Sequence, residues 1–269
     1  MKNELNDRLF TSLKGDFTPK FLATKDETGT PNVVPIISIQ PFNRTTLIFG
    51  NFLMLKTERN LKVNTLVSVA VLGEDFYGAT IRGKFKGFQP AGEYVDIINS
   101  SNMLRYNAYT GIRSAGVIEI VDISTPYSLS KIDVLSGNIR SKLHKAWGMK
   151  LSKGQKILHP QVAEKFQRIA AVKVCAFIDE TNHPFAIPVM SLQPVAPDVL
   201  IFRKKPLEQH FHSLKTDMEM AATVITMDPV AFQVKGIYRD LETQWGAIIL
   251  NKAYHASVPL QGKEIASVR

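Results

Sequence analysis

"DETGTPNVVPIISIQP" occupies residues 26–41, and "DETNHPFAIPVMSLQP" occupies residues 179–194. The chain writes nearly the same sixteen residues twice, 153 positions apart. Sliding the sequence against itself by that offset aligns 26–85 with 179–238 without a gap. Over 26–49, 11 of 24 residues are identical, where unrelated sequences would share about one or two. Further along, Leu61-Lys62 meets Leu214-Lys215, and "IRGK" (81–84) meets "VKGI" (234–237). The period is too long for a solenoid and predicts a duplicated domain. A chain of 269 residues is long enough for two such units. The predicted division is a first domain at 1–130, a basic linker at 131–157 and a second domain at 158–269.

Each copy reads mostly as β-structure. Asp26 to Gly29 supply turn residues between two β-rich runs, and "TTLIFG" (45–50), "LVSVAVL" (66–72), "GATIRGKFKGF" (78–88) and "AGVIEIVDI" (115–123) read as further strands. Gly83 inside such a strand suggests a bulge or a close backbone approach. The second copy repeats the order with "KVCAFI", "FAIPVMSL", "DVLIF", "AATVITM", "AFQVKGIY" and "GAIILNKAY". Five or six short strands per copy, separated by turns, predict a small antiparallel barrel rather than a parallel sheet. Short helices are expected at the joints: 3–14, 57–64 with Thr57 as its N-cap, 91–104, and 160–168 with Pro160 in its first turn. Copy two has only the short "DLETQW" where copy one has 91–104.

Composition narrows the function. Apolar residues make up 45% and charged residues 21%, the balance of a soluble globular protein. The start "MKNELNDRLF" lacks the apolar core of a secretory signal, and no apolar run approaches the ~18 residues of a membrane span, so a cytoplasmic location without membrane contact is expected. The single cysteine, Cys175, excludes an intrachain disulfide and a Cys-based zinc site. It lies in an apolar strand and reads as core. His210 and His212 could share a face of an extended segment, but no third ligand is in sequence reach, and no metal site is expected. No nucleophile elbow, Walker loop or dinucleotide fingerprint is present.

The net charge is +9, and residues 131–168 carry +7 of it, nine Lys/Arg against Asp133 and Glu164. Only Trp147 and Phe166 offer aromatic surface there. The stretch reads as a solvated basic connector, and a nucleic-acid partner is not expected.

The informative stretch is "GNFLMLKTERNLK" (50–62). A strand ends, the chain turns, and a helix begins close to Lys56 and Thr57. First-turn amides and the helix dipole favour an anion, and a lysine with a hydroxyl beside them makes a compact phosphate site. The same residues read equally as a routine N-cap and a surface lysine.

The run "DETGTPNVVPIIS…LIFGNFLMLKTERNLKVNTLVSVAV…ATIRGKFKGF" resembles the FMN-binding split-barrel family, the pyridoxamine 5'-phosphate oxidase-like flavoproteins. It is especially similar to small bacterial FMN-binding proteins in which a Lys-Thr-Glu-x-Asn run, here Lys56 to Asn60, follows the third strand. The resemblance covers about four-fifths of the chain. It implies two tandem split β-barrels forming an intrachain pseudo-dimer, mainly β with short helices. It implies FMN as cofactor, its phosphate on Lys56 and Thr57, its ring along Pro35, Ile36, Ile37 and Ser38, and the loop Gly50, Asn51 and Phe52 completing the cradle. Family members usually dimerise to form two sites, and a duplicated chain can make that interface internally.

The two copies differ at the phosphate loop, where Gln209 and His210 align with Lys56 and Thr57. One FMN per chain is therefore expected, with a wall supplied by copy two, for which Trp245 is the candidate. No catalytic residue is assigned. An FMN-dependent oxidoreductase acting on a small-molecule substrate or redox partner is the leading expectation. The segment "TQWGAIILNKAYHASVP" lacks the Arg-x-His-x-Arg pattern of true pyridoxamine-phosphate oxidases. A flavin carrier without catalysis, or a haem or deazaflavin binder on the same fold, remains the alternative. The assembly is expected to be a monomer with an internal pseudo-dimer, or a homodimer.

Overall fold

The repeat folds twice into the same ladder. The computed structural model describes residues 3–265 apart from 17, 53, 102–110, 206–207, 229, 243 and 258–259. In the first copy, β1 (Lys20–Lys25), β2 (Pro31–Pro35), β3 (Gln40–Pro41), β4 (Thr46–Gly50), β5 (Leu66–Leu72), β6 (Tyr77–Gln89) and β7 (Ala115–Ile123) pair antiparallel in the order β2-β1-β5-β6-β7-β4-β3, with β8 (Tyr127–Ser128) beside β6. In the second, β9 (Val172–Ile178), β10 (Pro184–Pro188), β11 (Gln193–Ala196), β12 (Val199–Arg203), β13 (Glu219–Ile225), β14 (Ala231–Glu242) and β15 (Trp245–His255) pair as β10-β9-β13-β14-β15-β12-β11. The two orders match strand for strand. Each sheet curls round its own core and stays open between its second and third strands, so the molecule is two split barrels in tandem.

Local chemistry explains the repeated details. The Asp26 carboxylate accepts from the amides of Thr28 and Thr30, and Gly29 takes a φ of +85°, the left-handed position that favours glycine. Asn182, at the matching place in copy two, has φ +60°. The pairing of β6 with β7 slips at Arg82/Gly83, and that of β14 with β15 slips at Lys235/Gly236. The bulge predicted from Gly83 is therefore present in both barrels. A Cβ on Gly83 would sit 2.9 Å from the Glu119 carbonyl, which is why the bulge carries glycine.

Helices α1 (Asp7–Lys14), α2 (Leu55–Val63), α3 (Glu93–Asn99), α4 (Lys131–Leu143), α5 (Lys145–Leu151) and α6 (Pro160–Gln167) sit at the joints. Asn6 caps α1 by accepting from the Leu9 amide at 2.8 Å. α2 begins earlier than expected: Thr57 lies inside its first turn, and Met54 takes the N-cap position without a side-chain cap. The expected helix at 91–104 is α3, shorter at both ends, and residues 102–104 lie outside the described residues. "DLETQW" spans the end of β14 and the start of β15.

Each barrel has its own apolar centre, with Leu22, Phe49, Val69, Ile81 and Ile118 in the first and Cys175, Phe177, Phe202, Val234 and Ile248 in the second. A third cluster joins them: Phe21, Ala23, Val33 and Ala70 meet Val174, Ala176, Ala186 and Ala221. β1 alternates Phe21 and Ala23 toward the junction with Leu22 toward its own barrel, so all six of its residues are buried. The outer strands β2 and β10 would leave unpaired backbone groups there. Instead the Thr80 hydroxyl donates to the Ala186 carbonyl at 2.6 Å, Ser68 Oγ accepts from the Ala186 amide at 2.9 Å, and Thr223 and Gln233 both donate to the Val33 carbonyl. Each barrel's edge is thus satisfied by the other's side chains.

The segment expected as a solvated connector holds two packed helices. Ser130 caps α4 by accepting from the Asp133 amide at 2.9 Å. Val134, Gly137, Asn138 and Ser141 are buried on one face against the second barrel, while Lys131 and Arg140 are exposed.

Candidate functional site

A cavity of about 390 Å3 opens where the two barrels meet. That is within the range of small-molecule pockets, about 300–1,000 Å3. The first barrel contributes Asn32, Val34 and the run Pro35, Ile36, Ile37 and Ser38 as β2 leaves its ladder, then Phe52, Met54, Leu55, Lys56 and Thr57. The second contributes Gln233 from β14, Tyr254 and His255 from β15, and Ala256, Gln261 and Gly262 beyond it.

One end of the cavity could hold an anion. Met54 offers no side-chain cap, and the first bond of α2 runs from the Glu58 amide to the Met54 carbonyl at 2.8 Å. The amides of Leu55, Lys56 and Thr57 therefore point out of the helix end, where the dipole favours negative charge. The Lys56 ammonium lies 4.1 Å from the centre of the Tyr254 ring. Burial holds its pKa below the usual lysine value. Asn60 sits behind the site and pins α2 to β1 by donating to Thr24 Oγ1 at 3.0 Å.

The walls carry unused polar capacity. Among the described residues four buried side-chain polar atoms lack a partner, and two of them, Asn32 Oδ1 and Gln261 Oε1, belong to this cavity's lining. Buried orphans are costly unless a ligand satisfies them. The remaining surface is mostly apolar. A flat ring with a polar edge and an anionic tail fits such a lining.

Seven of the ten residues expected at the cofactor line the cavity: Pro35, Ile36, Ile37, Ser38, Phe52, Lys56 and Thr57. Gly50 and Asn51 lie behind them, Gly50 donating its amide to Ser38 Oγ at 3.1 Å and Asn51 its side-chain amide to Ser114 Oγ at 3.3 Å. Trp245 does not form the wall. It is buried beside Val199, Ile201, Ala247 and Trp147, with its ring edge-on to His144. The wall from copy two was missed because β15 and the segment after it lie beyond the gapless part of the repeat. Gln233 had a signal, a lone amide in an apolar strand.

The corresponding place in the second barrel is filled. Ser191 is the counterpart of Ser38, and each hydroxyl accepts the matching amide, Gly50 at 3.1 Å and Arg203 at 3.0 Å. α4 lies across Ser191: Ser141 donates to its carbonyl at 2.8 Å, and a Cβ on Gly137 would come within 3.0 Å of the Ser191 Cβ. Phe185 stands where copy one has Asn32, and His210, at the Thr57 position, is buried between Tyr127 and Phe185. The residual cavity is about 20 Å3, room for one water and not for a ring. His212 is exposed, and no cluster of metal-ligating side chains occurs among the described residues. Cys175 is buried, and burial pushes its thiol pKa up, as core placement predicts.

No protein-family model and no curated protein matches this chain. Solved structures do. An FMN-binding protein from Syntrophomonas wolfei subsp. wolfei is 22% identical and covers 46% of this chain and 87% of its own, with a TM-score of 0.40. HupZ from Group A Streptococcus is 18% identical over 44% of this chain and 91% of its own, TM-score 0.38. An F420 reductase is 20% identical over 45% and 98%, TM-score 0.36. Each spans less than half of the present chain. No described helix is long and apolar enough to cross a membrane.

Proposed function

We propose that this protein binds one flavin, FMN, in the cavity between its barrels, and that it is a flavin-dependent redox protein. The observation that supports this most directly is the pairing of an uncapped helix end and Lys56 with an apolar cavity whose wall holds two orphaned buried acceptors. Pro35, Ile36, Ile37 and Ser38 would bear the ring, Asn32 and Gln261 its polar edge or the ribityl hydroxyls, and the α2 amides with Lys56 the phosphate. Bound there, a flavin supplies reversible hydride or electron transfer. The protein's part is to orient it, exclude water with Phe52 and Met54, and hold the anionic tail. Catalysis of a substrate's oxidation or reduction, rather than electron carriage alone, belongs to this proposal.

FMN titration of the ligand-free protein, followed by quenching of flavin fluorescence, is expected to saturate at one flavin per chain. Saturation at two would overturn the one-site reading, because the second position would then have to open by displacing α4. NADH or NADPH added under anaerobic conditions separates enzyme from carrier: rapid bleaching of the bound flavin is expected of the enzyme.

A haem is the second reading, and one observation favours it. His255 lines the cavity, and burial together with Lys263 lowers its pKa, which keeps the imidazole neutral and able to ligate iron. The visible spectrum decides, two flavin bands against a Soret band.

A further inference from the structure

Next to the ring cavity lies a second one of about 370 Å3, bounded by the Asp26–Thr30 turn, Lys56, the β14 bulge and β15. The two share Lys56 and Tyr254. Three ammonium groups line it: Lys56, Lys235 and Lys252. Lys235 is 7% exposed, so it is a charged group held almost wholly inside the protein. Its pseudo-twofold mate shows what a satisfied version looks like. Arg82, at the same bulge of the first barrel, forms a 2.6 Å ion pair with Asp179. Asp26 is the counterpart of Asp179 and its Oδ1 accepts the same three turn bonds, but among the described residues no ion pair joins it to Lys235. Lys235 forms no ion pair among the described residues, and burial, then the neighbouring Lys56 ammonium, lower its pKa.

Two neighbouring amines line this polar cavity, and among the described residues neither forms an ion pair with the Asp26 or Glu219 carboxylates that also line it. We propose that this cavity is a second phosphoryl site, held by Lys235 and Lys252 with Lys56 at its border, for a phosphate carried beyond the flavin's own monophosphate. The source is either the pyrophosphate of a dinucleotide flavin reaching past Tyr254 or the phosphate of a separate nucleotide co-substrate. The inference rests on the flavin reading only for the ring cavity; the cationic pocket stands on its own geometry. The Asn251 side-chain amide, which also lines the cavity, supplies a further donor. A dianion satisfies both amines at once, which a single carboxylate does not.

The site is pH-sensitive. The charged and titratable groups facing Lys235 are Lys56 from α2, Asp26 from the β1–β2 turn, Glu219 from β13, Lys252 and Tyr254 from β15, and Glu264 beyond it. Burial, then Lys56, lowers the Lys235 pKa to about 7. Only the protonated amine holds an anion, so affinity is full below that value and falls as pH rises through it.

The test compares affinities of riboflavin, FMN, FAD, NADPH and pyrophosphate for the wild type, Lys235→Gln, Lys235→Arg and Lys252→Gln, by fluorescence and calorimetry. Lys235→Gln is expected to weaken FAD about 10–100-fold if the dinucleotide is the source, or NADPH by that factor if a co-substrate is, and pyrophosphate in either case. Riboflavin and FMN should stay within about threefold of wild type, and Lys235→Arg should restore binding. Lys252→Gln, at an exposed position, should act in the same direction and keeps the test valid if Lys235→Gln misfolds. Unchanged FAD, NADPH and pyrophosphate affinities overturn the proposal, as does a loss confined to FMN, which would place Lys235 in the monophosphate site. Riboflavin failing to bind the wild type would sink the flavin reading, while Lys235-dependent pyrophosphate binding would leave the phosphoryl site standing.

Discussion

Replacing Lys56 by alanine is expected to weaken FMN binding about 10–100-fold while leaving riboflavin within about threefold. The range follows from a charge-assisted hydrogen bond, about 1.5–3 kcal/mol, with about 1.4 kcal/mol per tenfold in affinity. Lys56 lines the cavity at an uncapped helix end, where an anion would meet both its ammonium and the α2 amides. Lys56 is itself one cause of the depressed Lys235 pKa, so its removal lets Lys235 hold its proton to higher pH. A Lys56→Ala/Lys235→Gln pair should therefore lose more than the two singles combined if both reach one anion, and their sum if each holds its own. Equal losses for riboflavin and FMN in the single variant would show that Lys56 serves the fold rather than a phosphate.

Phe21→Ala is expected to cost about 3–5 kcal/mol of folding free energy, the usual range for removing a buried phenylalanine. Against a total of about 5–15 kcal/mol this threatens the native state outright. Phe21 is 1% exposed in a cluster otherwise made of alanine and valine, so it supplies most of the volume that joins the barrels. Small neighbours cannot rotate to fill the gap. Phe21 also pairs directly with Pro35 in the ladder, so loosening it moves the strand expected to carry the ring. Urea unfolding should show a lower midpoint, and FMN affinity should fall with it. Ile132→Ala, on the 79% exposed face of α4, is the control and should stay within about 0.5 kcal/mol. A Phe21→Ala protein as stable as that control would mean that the junction contributes little to folding.

Much of this protein was legible in the sequence. Eleven identities in 24 positions determined that one architecture occurs twice, because the residues shared, Asp26, Pro31, Pro35 and Ser38 among them, set a turn, an edge strand and a bridge to the next strand. These are local requirements, and local chemistry reads directly from the chain. The break in the repeat at Lys56 and Thr57 singled out the first copy for the same reason. Tertiary structure alone decided which groups from the second copy close the cavity, since Gln233, Tyr254 and Gln261 reach it only through the junction of two barrels. It also decided that α4 occupies the second copy's place, because a helix reads from sequence as one amphipathic segment, and only packing says which concave surface receives it. The unpaired Lys235 belongs to the same class. Its strand position matches Arg82, and whether a buried cation reaches the carboxylate of the other barrel's turn is set only where the two barrels meet.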